Sequence, residues 1–219
     1  MNVKMVFYSY SLVLFTSCNP AGHCGQMPHR FISAEQWAER FDAPERDAWQ
    51  KPDDIVEAME MEPGMFVADV GAGTGYMLEH LSAAVGPQGQ VLAIDIEPDM
   101  IAYMQKRIER SDLSNCAAQL GRADDPGLAT GRFDRVLILN TWHHISDRTE
   151  FARKIRSGLS IDGRLIIVDF APGAGGEGPP DRHRLSLETV RQELESAGFS
   201  VTVREESLPY HYIVQATVQ

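Results

Sequence analysis

Cysteine, positive charge and long apolar runs are all scarce in this chain of 219 residues. The three cysteines, Cys18, Cys24 and Cys116, are too few and too scattered for a disulfide framework. Neither Cys-x-x-Cys nor His-Glu-x-x-His spacing occurs, so the chain offers no metal-ligand pattern and no metal is expected. Basic residues number 20 against 31 acidic ones, a net charge of −11. Such a surface repels a phosphate backbone unless a basic stripe overrides it, and the densest basic stretch, Asp181 to Arg184, is too short to be one. A nucleic-acid partner is therefore not expected. The composition, 43% apolar and 23% charged, excludes disorder and a multispanning membrane protein.

The first twenty residues differ from the rest. Lys4 precedes an apolar run from Met5 to Thr16. A helix needs about 20 residues to span a bilayer, so this run has the length of a signal-peptide core instead. Its end, Phe15-Thr16-Ser17-Cys18, resembles a bacterial lipoprotein cleavage box, with Phe15 where leucine is usual. Lipidation of Cys18 would tether the domain to a membrane without changing its fold. The competing reading is an unprocessed start. Residues 1–26 are read as this leader and a linker, and 27–219 as one domain: a helical cap over 27–62 and a core over 63–219.

Within the cap, "ISAEQWAERF" has Ser33 placed to cap a helix, with Trp37 and Phe41 on one face. A second helix carries Ile55, Val56 and Met59 and ends at Pro63-Gly64. Strands and helices then alternate, beginning with the nearly continuous apolar run "MFVADVG" expected of a strand buried on both faces. "QVLAIDI", "CAAQLG", "DRVLILN" and "GRLIIVDF" are further strands. This alternation predicts an α/β fold, a parallel sheet with helices on both faces. The final pair, "VTVREESL" and "HYIVQAT", is linked too briefly for a crossover and should be antiparallel.

"VADVGAGTGY" ends the first of these strands in a glycine loop. A dinucleotide fingerprint, G-x-G-x-x-G, would need glycine at position 76, where this chain has Tyr76. The pattern is Asp69-x-Gly71-x-Gly73-x-Gly75, and a leading carboxylate suits an ammonium better than a pyrophosphate. A ligand with an amino-acid end and a nucleoside end fits, namely S-adenosylmethionine. Asp95, closing the second strand about 20 residues on, is placed to accept two ribose hydroxyls.

These residues resemble the first motif of class I S-adenosylmethionine-dependent methyltransferases. The likeness runs from about Met27 to the C-terminus and is strongest for the bacterial small-molecule branch with its quinone-biosynthesis-type enzymes. "AIDIEPDM", "FDRVLILNTWHHI" and "DGRLIIVDF" match three further motifs in order. The resemblance implies a Rossmann-like seven-stranded, mostly parallel sheet with its last strand antiparallel. It implies that Asp69 and the Gly71–Gly75 backbone hold the methionine end, Asp95 the ribose and Ile96 the adenine face. Ala123 and Asp124 would meet the adenine edge, although Gly121-Arg122 stands where the family commonly has Gly-Asp. Asn140 would bind the cofactor beside its methionine end, at the active-site mouth.

Asn140 lacks the following prolines of nucleobase N-methyltransferases, which points to a small-molecule acceptor. His143 and His144 follow the fourth strand and are candidates for a general base. The plainer alternative for either is packing or capping. Trp37, His183, Arg184 and Tyr210 are candidate acceptor contacts, the middle two on the glycine-rich loop "APGAGGEGPPDRHRL". Their competing role is ordinary packing or surface connection. Two other functions stay open at this point: a non-catalytic cofactor-binding protein and an NAD-dependent oxidoreductase. The cofactor is a cytoplasmic metabolite, whereas processing at Cys18 would place the domain in the envelope.

Overall fold

The computed structural model describes residues 33–204 and 208–219. The leader, including Cys18, lies outside the described residues. No helix among them is long and apolar enough to cross a membrane.

Three helices come first: α1 (Ala34–Phe41), α2 (Arg46–Gln50) and α3 (Pro52–Met59). Ser33 does not cap α1 with its side chain, contrary to expectation. It takes a left-handed conformation, φ 69°, where the extended geometry of a capping residue is lost. Its backbone N–H reaches across to Asp99 instead, tying α1 to α5 (Pro98–Arg110). The helix read as running to Pro63 ends at Met59, because Glu60 turns left-handed. Arg135, buried in the sheet, then donates to the free carbonyls of Met59 and Glu60.

The remaining elements alternate as the apolar runs predict: β1 (Phe66–Val70), α4 (Leu78–Val85), β2 (Gln90–Asp95), α5, β3 (Cys116–Leu120), β4 (Phe133–Leu139), α6 (Arg148–Gly158), β5 (Leu159–Phe170), α7 (Leu187–Ser196), β6 (Phe199–Arg204) and β7 (His211–Val218). They form one seven-stranded sheet in the order β3-β2-β1-β4-β5-β7-β6. All adjacent pairs are parallel except those of β7, which runs against both β5 and β6.

Each strand divides its side chains between two cores because successive residues point to opposite faces. Ala68, Val136, Ile138 and Leu165 face α6 and α7, where Phe151, Ile155, Val190 and Leu194 are buried. Val67, Leu137, Ile166 and Val168 face α3 and α4, with Ile55, Met59, Leu78 and Leu81. Strand order reverses between β1 and β4, so the loops after these strands flank the crevice at the switch point.

Candidate cofactor and acceptor site

Asp69, the penultimate residue of β1, is 2% exposed. Burial pushes its carboxyl up to about 7, against the pull of the nearby Arg46 guanidinium. The chain then turns through Gly71, Gly73 and Gly75, all left-handed with φ of 80°, 56° and 79°. At Gly71 the reason is contact as well as torsion. A Cβ there would sit 2.5 Å from Thr141 Oγ1 and 2.8 Å from Thr141 Cβ. Thr141 itself donates to the Gly71 carbonyl at 3.3 Å, so the post-β1 and post-β4 loops press backbone to side chain. Asp95 ends β2 beside them. Its two oxygens accept from the Gly73 and Glu97 amides at 2.9 and 3.0 Å, which fixes the carboxylate's orientation. Burial raises its pKa, and those amides oppose the shift. Ile96 follows with 43% exposure, a large apolar side chain left at the crevice rim. The loop after β3 starts against Asp95, since the Gly121 amide bonds its carbonyl. Ala123 and Asp124 are exposed on this loop. The Asp124 carboxylate is engaged by Arg122, in a pair 2.9 Å long.

The cap closes over this loop through residues that sequence reading passed over. Phe41 lies 3.6 Å from where a Gly73 Cβ would be. Thr74 Oγ1 donates to Asp42 at 2.8 Å, and Tyr76 OH donates to Asp47 at 2.6 Å. Tyr76 therefore does more than replace a fingerprint glycine. Its ring also carries the Arg46 guanidinium, 3.8 Å from the centroid. Arg46 is buried, and desolvation lowers its pKa to about 10. It donates to the Phe41 carbonyl and to Gln50 Oε1.

Gln50 links the cofactor side to the acceptor side. Its Oε1 also accepts from Asn140 Nδ2 at 2.7 Å, and its Nε2 lies 3.5 Å from His211 Nε2. Asn140 closes β4 in a left-handed conformation, φ 55°, a strained state that asparagine tolerates better than most residues. Its Oδ1 is buried without a hydrogen-bond partner among the described residues. Beyond it, Trp49, Phe170 and His211 pack together, with Trp49 and His211 parallel at 5.8 Å and Phe170 4.3 Å from His211. Burial lowers the His211 pKa to about 4, so the ring is neutral. Tyr210 joins the cluster against Trp49.

The two candidate bases part company here. His143 Nδ1 is 2.8 Å from Asp169 Oδ1, and both side chains are almost wholly buried. His144 is exposed and lies against the His143 ring at 4.1 Å. Arg184 is held within its own loop. Its guanidinium donates to the carbonyls of Pro179, Ala171, Gly175 and Glu177, and so staples the glycine-rich loop to itself. His183 is half-buried in a short 3-10 turn of that loop. Trp37 stacks on Phe41 at 5.3 Å, and Phe41 in turn borders the glycine loop at Gly73. A separate concavity of about 340 Å³, lined by Phe66, Leu92, Cys116 and Arg132 among others, opens near the starts of β1, β2, β3 and β4, at the opposite end from these residues. Among the described residues no cluster of three or more His, Cys, Asp or Glu could hold a metal ion.

The signature of the methyltransferase domain family matches residues 61–215, from before β1 into β7. The chain belongs to the methyltransferase domain family. This methyltransferase domain is 29% identical to nocamycin O-methyltransferase of Saccharothrix syringae over 63% of its length and 47% of that protein's. It is 26% identical to the ubiquinone/menaquinone biosynthesis C-methyltransferase of Shewanella oneidensis, over 53% of its own length and 47% of that protein's. The chain thus spans about half the length of these curated relatives. In three dimensions it matches the crystal structure of a SAM-dependent methyltransferase from Aquifex aeolicus with a TM-score of 0.80 and 26% identity, over 86% of this chain and all of that one. Its Rossmann-like sheet is thus the class I S-adenosylmethionine-dependent methyltransferase fold.

Proposed function

We propose that this methyltransferase domain transfers a methyl group from S-adenosylmethionine to a small-molecule acceptor. One observation carries the choice of cofactor: a nearly dehydrated carboxylate, Asp69, stands ahead of three left-handed glycines. A buried carboxylate with a pKa near 7 gains most from a ligand that brings a positive charge, and a diphosphate would make its position worse. The residues present fit the whole cofactor. Asp69 would hold the ammonium, and Arg46, the buried cation beside it, would complement the carboxylate of the same amino-acid end. The Gly71–Gly75 backbone permits close approach. Asp95 would accept the ribose hydroxyls, Ile96 would offer an apolar surface to the adenine, and the loop with Ala123 and Asp124 would border its edge.

When bound, S-adenosylmethionine supplies a methyl group on a sulfonium, already activated for in-line displacement. The protein's work is then orientation and exclusion of water. The latches Asp42–Thr74 and Asp47–Tyr76 hold the cap across the crevice. Asn140, whose buried Oδ1 has no hydrogen-bond partner among the described residues, would serve the methionine end of the cofactor at the mouth of the site.

Titration calorimetry with S-adenosylhomocysteine and with NAD tests the cofactor, and turnover of methyl-labelled S-adenosylmethionine on a metabolite extract tests the reaction. Binding of the homocysteine derivative alone, with label transferred to a small molecule, is expected. Binding without transfer would make the domain a non-catalytic cofactor binder, and NAD binding would overturn the reading.

A further inference from the structure

We propose that His211 is a specificity-determining residue whose Nδ1–H donates to an oxygen of a flat, ring-bearing methyl acceptor, and that Gln50 is the positioning residue that fixes this donor. The inference rests on methyl transfer as the reaction and adds the class of substrate. Arg46 sets the arrangement, because a guanidinium can only donate. Its Nε and Nη2 lie 3.4 and 3.2 Å from one atom of the Gln50 amide, which must therefore be the oxygen. Asn140 Nδ2 donates to the same oxygen at 2.7 Å. The amide nitrogen of Gln50 is thereby turned to His211, 3.5 Å from Nε2. An NH2 group also only donates, so Nε2 must offer a lone pair. The ring is then neutral, with its one proton on Nδ1.

That proton has nowhere to go within the protein. Nδ1 is buried without a hydrogen-bond partner among the described residues, on a side chain only 5% exposed. The charged groups that act on the ring are Asp169, Arg46 and Arg184. Asp169 is taken up by His143 and the Phe170 amide, Arg46 by Gln50 and the Phe41 carbonyl, and Arg184 by the carbonyls of its own loop. An unpaired buried donor is costly, so packing alone does not account for a histidine here. An acceptor atom on a ligand would satisfy it.

The surroundings define that ligand. His211 opens β7 in register with Phe170, the last residue of β5, at the end of the sheet that carries Asp95 and Asn140. Trp49 lies parallel to the ring at 5.8 Å, Phe170 is 4.3 Å away, and Tyr210 packs on Trp49. The glycine-rich loop closes the cluster from outside. Gly176, φ 64°, abuts the Tyr210 ring, and a Cβ on Gly178, φ 99°, would come within 2.5 Å of Phe170. No side chain stands between loop and rings at these two points. The loop, with half-buried Trp49 on the short α2, is the cover that a ligand would displace. Aromatic walls with one orphaned donor suit a flat molecule carrying a hydrogen-bond-accepting oxygen. An ammonium would leave Nδ1–H unpaired, with Arg46 and Arg184 close by.

Nitrogen NMR of histidine-labelled protein tests the donor. In the wild type His211 is expected as the Nδ1–H tautomer. Gln50→Glu keeps an oxygen for Arg46 and Asn140 but turns a second oxygen to His211, so Nε2 should take a proton. Acetophenone and α-methylstyrene, which share a shape and differ in a carbonyl oxygen, test the ligand, with and without S-adenosylhomocysteine. In the wild type acetophenone should shift the His211 Nδ1 resonance and bind about fivefold tighter than α-methylstyrene. In His211→Phe the two should bind alike. A wild-type Nε2–H tautomer, an unprotonated Nε2 in Gln50→Glu, or no preference for acetophenone in the wild type would overturn the proposal. An Nδ1 resonance that acetophenone leaves in place would give that donor to a lodged water and overturn it equally. If the variants fail to fold, the wild-type spectrum and the probe pair decide alone. Failure of S-adenosylhomocysteine to bind the wild type would sink the cofactor assignment instead, and leave the tautomer and probe results standing.

Discussion

Cofactor affinity should fall steeply in mild acid, and the cause should be Asp69. Its carboxyl titrates at about 7 because burial disfavours the charge. Only the ionised form pairs with an ammonium, so the ligand must displace a proton below that point. The apparent dissociation constant then scales as one plus ten to the power (7 − pH), about twenty-five times weaker at pH 5.5 than at pH 7.5. In clearly alkaline solution affinity should fall again as the ligand's own α-amino group deprotonates. Calorimetry with S-adenosylhomocysteine across this range measures the curve. Two controls isolate the cause. Asp69→Asn should weaken binding at neutral pH by roughly tenfold to a hundredfold, the worth of a charged hydrogen bond, and should flatten the acid limb. Methylthioadenosine, which lacks the amino-acid end, should keep only the shallower dependence that Asp95 contributes. An acid limb of equal steepness in Asp69→Asn, or in methylthioadenosine, would refute the reasoning.

Three other perturbations have defined outcomes. His211 is buried neutral with its pKa near 4, below the ordinary 6.5, so unfolding takes up a proton below pH 6.5 and the stability it contributes is lost as pH falls toward 4. Asp69, shifted upward, has the opposite slope in that window, so the comparison must be between variants. The stability advantage of wild type over His211→Gln should shrink by about 3 kcal/mol from pH 7 to 4 in denaturant titrations, and a constant gap would contradict a neutral buried ring. Gly71→Ala forces a side chain into a left-handed turn against Thr141 and should cost about 2–4 kcal/mol, a melting-temperature drop on the order of 10 °C by calorimetry. An unchanged melting temperature would show that the two loops are not in contact. Arg184→Ala removes the staple from the loop over 171–180 and should speed its cleavage in limited proteolysis, with the core fragments intact. Equal cleavage rates would deny the staple.

The sheet was legible in the chain because β1, β4 and β5 are buried on both faces and so read as continuous apolar runs. The glycine loop was legible because its torsions exclude most side chains. What escaped notice depends on distant partners. Arg46 and Gln50 lie in a five-residue helix with no apolar period, and Gln50 meets His211 across 161 positions. Asp169 was visible only as one polar letter in "IIVDF", and nothing local says that a histidine 26 positions earlier will meet it. The bonds of Arg184 to its own loop carbonyls left no trace in the sequence, because a loop closing on itself has no spacing signal. Ser33 has the residue type of a cap, but the backbone there takes a torsion that type alone does not reveal.

The most direct test is a crystal structure with S-adenosylhomocysteine bound. Its ammonium is expected on Asp69, its carboxylate on Arg46 and both ribose hydroxyls on Asp95. A ligand that binds elsewhere, or a nicotinamide nucleotide taking the same crevice in its place, would contradict it.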